Sequence, residues 1–379
     1  MKLKFFCLLG FIILSCTNQT KTSNTESEKS NHKFEIEYAK GIEIENYKNY
    51  YILKIKEAWP DADQSFTYLL QKRGKPVKPN LKYDAKVEIP LKNIIVTSTT
   101  HIPSLESLGV LDKLIGFPNT NYISSPQARQ RIEKGQIKEI GQNQSLNTEI
   151  LIALQPEAVV SFAVKGQNKS LESVKKAGFP VLYNADWVEQ HPLGKAEWIK
   201  FFGLLFDKVE KSQKIFNTIK TEYENAKELA FQTDIQPTVI SGALWKDQWY
   251  LPSGESWQAQ IISDANAEYL YADTQGTGSL SLAFESVLDK AQDADFWIAP
   301  AQYTSYEDMI EQQSHYKKFK AFRDKKVFTF ASNKGETGGV LYYELAPNRP
   351  DWVLKDLIKI LHPELLPTYE SHFFKPLNP

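Results

Sequence analysis

One uninterrupted amphipathic run splits this chain into two stretches that read alike. Residues 208–231 place Val209, Ile215, Phe216, Ile219, Tyr223, Ala226 and Leu229 mostly at spacings of three and four, the stripe of a helix with one buried face. The run holds 24 residues, and at about 1.5 Å per residue it reaches roughly 36 Å, the width of a folded lobe. On either side, short apolar strands alternate with short helical segments. That alternation predicts a mostly parallel sheet with helices on both faces, once before the long helix and once after it. The two halves also echo in detail. Asn147 to Glu157 is followed by the apolar run 158–163, and Ala283 to Ala291 leads, after 292–295, to the apolar run 296–300. Each unit reads as a short helix, a break and a buried strand. Each carries a glutamate at the same point, Glu149 and Glu285, 136 positions apart. The expected fold class is α/β, with two lobes of similar build joined by one long backbone helix.

Boundaries follow from these patterns. Residues 1–15 read as a signal peptide, 16–33 as a disordered tether and 34–92 as a β-rich extension. Residues 93–190 form the first lobe, 191–233 a helical linker and 234–379 the second lobe. A chain of 379 residues is long enough for two such cores. In the extension, Phe34 to Tyr38, Tyr50 to Lys56 and Ser65 to Leu70 alternate or cluster apolar residues between turn signals, so strands are expected there.

The N-terminus carries an address. Lys2 and Lys4 precede a ten-residue apolar stretch, Phe5 to Leu14, too short to span a bilayer and suited to a secretory signal. It ends Ser15-Cys16, similar to the cleavage box of bacterial lipoproteins, whose cysteine becomes the lipidated first residue. Cys7 and Cys16 are the chain's two cysteines. Cys7 leaves with the signal, so an acylated Cys16 leaves no disulfide, and the core alone must stabilise an exported protein. Loss of residues 1–15, with two lysines and no acid, takes the net charge from −1 to −3. Neither value argues for nucleic acid or an acidic membrane surface.

The order of a strand ending at Thr97 to Pro103, then Leu108-Gly109, Leu114-Ile115-Gly116, the Asn147 to Pro156 unit, a long helix and a second lobe resembles the helical-backbone substrate-binding proteins of ABC importers for iron–siderophore complexes, haem and cobalamin. The likeness covers roughly 93–365. Tyr343-Glu344, Pro350 to Leu357 and His362 to Leu365 are similar to the C-terminal sequence of a subset of that family. The resemblance implies a ligand held between the lobes and a backbone helix that permits only slight closure. It also implies a glutamate on each lobe that meets arginines of the membrane permease dimer. Glu149 and Glu285 match those two positions. Read without the resemblance, both are solvated acids in first helical turns, where the macrodipole favours them. The implied role is an extracytoplasmic lipoprotein, anchored to the membrane through Cys16, that delivers an iron chelate or cobalamin to its permease. A haem-binding importer component is the alternative, and an exported α/β enzyme using the same cleft is another.

In a two-lobed α/β chain the ligand lies at the carboxyl ends of strands. Those ends place Thr99, Thr100, His101 and Tyr122, the loop 162–167 and Trp187 on the first lobe. On the second lobe they place Trp245, Trp249, Trp257 and Tyr303 and the segment 332–343, and Arg349, between Asn348 and Pro350, is a further candidate. Aromatic rings suit a flat or ring-bearing ligand, and each ring could equally be core packing. Arg349 could bind a carboxylate or cap a loop. His101 could ligate haem iron or cobalt, hydrogen-bond a ligand or serve the fold. The remaining histidines, His32, His191, His315, His362 and His372, are scattered, so no bare-metal site is expected. No dinucleotide, P-loop, nucleophile-elbow or zinc-protease motif is present. A binder without catalysis and without a cofactor of its own is the expected class.

Overall fold

A computed structural model of the chain describes residues 34–379 except Lys165 and Gln167. The expected signal peptide, Cys16, the tether with His32, and two residues of the 162–167 loop lie outside the described residues. The extension is a four-stranded sheet of β1 (Ile42–Asn46), β2 (Tyr50–Ile55), β3 (Phe66–Lys72) and β4 (Ala85–Ile89) in that order. Its last pair is parallel and the others antiparallel. The strand expected over 34–38 is absent. That segment is irregular because two buried carboxylates take its amides. Glu197 accepts the N–H groups of Glu37, Tyr38 and Ala39 at 2.9, 2.7 and 2.8 Å, and Glu189 accepts those of Lys40 and Gly41. An extended segment whose amides go to side chains cannot pair in a sheet. The extension is seated on the first lobe. Arg73 holds Glu157 with both carboxylate oxygens at 2.9 Å, and the Tyr68 hydroxyl accepts the Tyr183 amide at 3.0 Å.

The first lobe runs β5 (Ile94–Val96), α1 (His101–Leu108), β6 (Leu114–Phe117), α2 (Pro126–Glu133), β7 (Lys138–Glu139), the small hairpin β8 (Gly141–Gln142) and β9 (Ser145–Leu146), α3 (Thr148–Ala153), β10 (Val159–Ser161), α4 (Lys169–Lys176) and β11 (Val181–Tyr183). Its sheet order is β11-β10-β5-β6-β7, all parallel. The strands β5, β10 and β11 are buried throughout, as a sheet covered on both faces requires. Ser125 caps α2 by accepting the Ala128 amide at 3.0 Å, with Pro126 in the first turn, and Asn147 caps α3 through the Ile150 amide at 3.1 Å.

Two short helices, α5 (Pro192–Glu197) and α6 (Ile199–Leu205), then replace the one helix that the apolar spacing of 195–206 suggests. The backbone helix α7 (Val209–Ala230) is unbroken for 22 residues. Ser212, Phe216, Ile219, Tyr223, Ala226 and Ala230 are its buried stripe. The repeating steps of four and three keep that stripe on one face.

The second lobe contains β12 (Thr238–Ser241), β13 (Ala243–Trp245), β14 (Gln248–Pro252), α8 (Trp257–Asp264), β15 (Glu268–Tyr269), β16 (Ser279–Leu282), α9 (Phe284–Ala291), β17 (Phe296–Ile298), α10 (Tyr306–Gln312), α11 (Lys320–Arg323), β18 (Val327–Thr329), α12 (Leu341–Leu345), α13 (Pro350–Leu361) and β19 (Lys375–Pro376). The main sheet is β15-β12-β17-β18-β19, parallel except for its last strand. The strands β13, β14 and β16 form a separate antiparallel sheet. The two lobes repeat one topology. The run β6-β5-β10-β11 matches β15-β12-β17-β18, and the strands after the echoing glutamates, β10 and β17, each pair with the first strand of their own lobe. Two parallel sheets flanked by helices and bridged by one helix are thus the architecture of the chain.

Candidate ligand-binding cleft

The carboxyl ends of β5, β6 and β10 meet the chain after β18 in a chamber of about 260 Å³ between the lobes. Its first-lobe wall is Thr97, Ser98 and Thr99 with Phe117, Pro118, Tyr122, Asn143 and Phe162. Its second-lobe wall is Gly339, Val340 and Tyr343. Hydroxyls and rings face the space, and none of these lining side chains is charged. Thr97 and Ser161 share a hydrogen bond at 2.9 Å beneath the floor, and Ser98 and Thr100 share one at 3.0 Å. A wider groove of about 1830 Å³ runs outside α7 beside the extension. It lies away from the strand ends and is lined by five lysines and five acids, so it offers neither the position nor the predominantly uncharged walls of an organic-ligand site.

Behind the chamber the lobes are joined by direct hydrogen bonds. Glu344 on α12 accepts the amides of Ser124 and Ser125 at 2.6 and 3.0 Å. Asn348 donates to the Thr100 carbonyl and accepts from the Ser104 hydroxyl, both at 2.8 Å. Burial pushes the Glu344 carboxyl up to about 7, against the two amides that favour its charged form, and nearby Glu106 adds to the rise. Glu106 is itself raised by burial and receives the Ser125 hydroxyl.

The structure sorts the expected ligand contacts. Thr99 and Tyr122 line the chamber, Tyr122 being 65% exposed. Thr100 contributes its carbonyl to the lobe junction instead. His101 does not face the cleft. It is fully buried against Phe202 at 5.4 Å, neither ring nitrogen has a partner, and desolvation lowers it to about 4. A ring turned inward from the first residue of α1 cannot ligate a metal in the cleft. Trp249 is also core. It is fully buried, stacked 5.1 Å from Trp297, and donates to the Ser241 carbonyl at 3.0 Å. Gly242, at φ 76°, makes this packing possible, since a Cβ there would lie 1.8 Å from the Tyr250 carbonyl oxygen. Tyr303 is half-buried against Tyr316. Arg349 grips the buried Asp351 at 2.8 and 2.6 Å and stacks 3.5 Å above Trp352, so its charge is spent at the start of α13.

The other tryptophans lie outside the chamber lining. Trp257 is half-buried, 6.1 Å from Tyr342 with the Lys195 ammonium 5.5 Å away. Trp187 is partly exposed beyond β11. Trp245 is exposed near the β13–β14 turn, packed edge-on to Tyr250. Asn143, at the turn of the β8–β9 hairpin, and Phe117, at the end of β6, are lining residues that the sequence reading missed. The hairpin is too short for a periodic signal, while Phe117 closes a strand that the reading located. Glu149 and Glu285 are both exposed in the first turns of α3 and α9.

Comparison with known proteins agrees with this geometry. A family model described as periplasmic binding protein matches residues 94–333. The lipoprotein MJ0878 of Methanocaldococcus jannaschii, itself uncharacterized, is 26% identical over 97% of this chain and 91% of its own. A possible iron-binding (periplasmic solute-binding) protein from Staphylococcus epidermidis superposes with a TM-score of 0.56 at 18% identity, covering 72% of this chain and 99% of its own. A periplasmic heme binding protein from Pseudomonas aeruginosa gives 0.56 at 17% identity over 76% and 96%. With the extension lying before the matched span, the first lobe within it and the second lobe matched through β18, the chain belongs to the periplasmic binding protein family.

Proposed function

We propose that this chain is the substrate-binding lipoprotein of an ABC importer, capturing an iron chelate or cobalamin outside the cytoplasmic membrane. The observation that carries the reading is the inter-lobe chamber walled by Tyr122, Tyr343, Phe117 and the Thr97–Thr99 hydroxyls. Rings and neutral hydroxyls suit the organic shell of a metal complex better than a bare ion, which needs converging imidazoles or carboxylates. The names of the matching proteins, iron-binding in one and heme binding in another, support the same ligand class. A relative over nearly the full chain that is named a lipoprotein supports lipidation of Cys16. No helix among the described residues is long and apolar enough to cross a membrane, so in this reading the acyl chains are the anchor.

Glu149 and Glu285 are the permease contacts in this reading. They stand exposed at matching places on the two lobes, each before the strand that pairs with its lobe's first strand. Two charges far apart orient a two-lobed body on a two-fold receptor and speed encounter. The visible spectrum of the protein, purified from its host and then titrated with haem, cyanocobalamin and ferrichrome, identifies the ligand. Saturable binding without chemical change is expected, and turnover of the ligand would overturn the assignment. Replacing Glu149 and Glu285 together by alanine should abolish uptake and leave ligand affinity intact. Normal uptake by that double variant would remove both glutamates from the docking face.

A further inference from the structure

The segment 332–340 leaves the second lobe after β18 and lies across the cleft onto the first lobe. It folds on itself as a short loop, with Gly335 donating to the Gly339 carbonyl at 2.7 Å and Lys334 bridged to Val340. The Thr337 hydroxyl donates to the Asn121 carbonyl at 2.8 Å, and the Ser124 hydroxyl donates to the Gly339 carbonyl at 2.9 Å. Two glycines set how close this strap lies. A Cβ on Gly339 would sit 2.4 Å from the Tyr122 carbonyl oxygen, and one on Gly335 would sit 2.7 Å from the Ser124 Cα. Neither glycine has a left-handed φ, so what demands glycine is proximity to the other lobe. Gly339 and Val340 are also the roof of the chamber beneath.

That chamber holds about 260 Å³, while sites for whole organic ligands run to roughly 300–1,000 Å³. With the strap in place the cleft accepts a fragment of a macrocycle or chelate and not the whole. The helix α7 is unbroken between the lobes, so room is made more readily by a local segment than by rotating a lobe.

We infer that 332–340 is a strap that determines which ligands enter, and that this structure is its latched form. A macrocyclic or chelate ligand binds when the strap lifts from 121–124, and the strap glycines fix how tightly it reseats. This inference rests on the proposed binding of a metal complex. Latching lowers the apparent affinity by the fraction of molecules that are open. The two cross-lobe bonds made by the Thr337 and Ser124 side chains are neutral hydrogen bonds of ordinary worth, so losing both should raise that fraction about tenfold.

Two variants of the full chain test the strap in opposite directions. Gly339→Ala forces the strap off Tyr122. It should speed association of whichever probe the wild type binds, among haem, cyanocobalamin and ferrichrome, by about tenfold. Asn121→Cys with Thr337→Cys, oxidised to a cross-link, should lose binding of that probe by tenfold or more, and dithiothreitol should restore it. Equal binding by the oxidised and reduced forms overturns the strap, and so does failure of the pair to cross-link. If the wild type binds none of the three probes, the ligand class proposed above fails, and hydrogen exchange in the ligand-free protein judges the strap alone. Ser124→Ala with Thr337→Val should then accelerate exchange at 335–339 about tenfold while β18 stays unchanged. Unaltered exchange at 335–339 overturns the inference in that case.

Discussion

Glu344 makes the junction between the lobes sensitive to pH. Its carboxyl titrates near 4.5 in an unstructured chain and about 7 in the folded protein, because burial penalises the charge more than the Ser124 and Ser125 amides repay it. Between those values the folded state holds a proton that the unfolded state has released. The contribution of Glu344 is therefore fully present below 4.5 and is lost as pH rises through 7. From pH 5.5 to pH 8 the loss is about 2 kcal/mol. The wild-type curve alone will not display it. His101, lowered from 6.5 to about 4 by its burial, works in the opposite direction and withdraws about 1 kcal/mol as pH falls to 5.5. The measurement is thus a difference between wild type and Glu344→Gln, by urea unfolding followed through tryptophan fluorescence at several pH values. Glutamine leaves one of the two amides facing its own N–H groups, which costs about 1–3 kcal/mol at every pH. On top of that offset, the advantage of the wild type should grow by about 2 kcal/mol from pH 8 to 5.5. A flat difference, or one that grows toward alkaline pH, would refute the assignment of a raised carboxyl to the lobe junction.

Two further substitutions test the packing. Glu197→Gln leaves the fully buried Lys200 ammonium without its partner at 2.6 Å and removes an acceptor from the amides of 37–39. It should cost about 3–5 kcal/mol and expose 34–41 to limited proteolysis, and resistance equal to wild type would contradict the anchoring. Trp249→Ala should destabilise by about 3–5 kcal/mol, while Trp245→Ala, at an exposed ring, should stay within about 0.5 kcal/mol. Similar losses for the two would mean that the hairpin packs differently.

The fold was legible where periodicity is long or the strand is wholly apolar. The α7 stripe from Val209 to Ala230 and the buried run of β5 each leave one physical reading, and the order of elements did the rest. What escaped was local competition for hydrogen bonds. Phe34 to Tyr38 alternates like a strand, yet the carboxylates of Glu189 and Glu197, some 150 residues later, take the amides of 37–41. No local pattern announces that. The cleft was half legible for a related reason. Strand ends put Thr99 and Tyr122 on the lining of the chamber, but a strand end does not say which way a ring turns. In Trp245 to Leu251 the hint was present. Gln248 and Tyr250 are exposed while Trp249 and Leu251 are buried, the alternation of a hairpin strand, so the middle tryptophan belonged to the core. His101 gave no such hint, because the first residue of a helix can face either way.

In the proposed reading, the two echoing glutamates and the strap have separate tasks in separate parts of one frame. Glu149 and Glu285 are carried by short helices that precede equivalent strands, so their spacing is fixed by the two sheets and by α7. A rigid spacing suits a two-point dock, which is worth most when neither point must move to meet its partner. The same rigidity would defeat ligand exchange if entry required the lobes to swing, since a helix with a continuous buried stripe has no hinge residue to absorb the change. The chain resolves the conflict by placing compliance in 332–340. There glycines replace side chains at the lobe contact, and the cross-lobe bonds are few and neutral. A ligand that lifts this segment alters the surface between the lobes while leaving the two glutamates where they were. Under the docking proposed above, the permease would read occupancy from the strap and position from the glutamates. Substitutions at Gly339 should therefore change ligand exchange without changing permease affinity in the empty state, and substitutions at Glu149 should do the reverse.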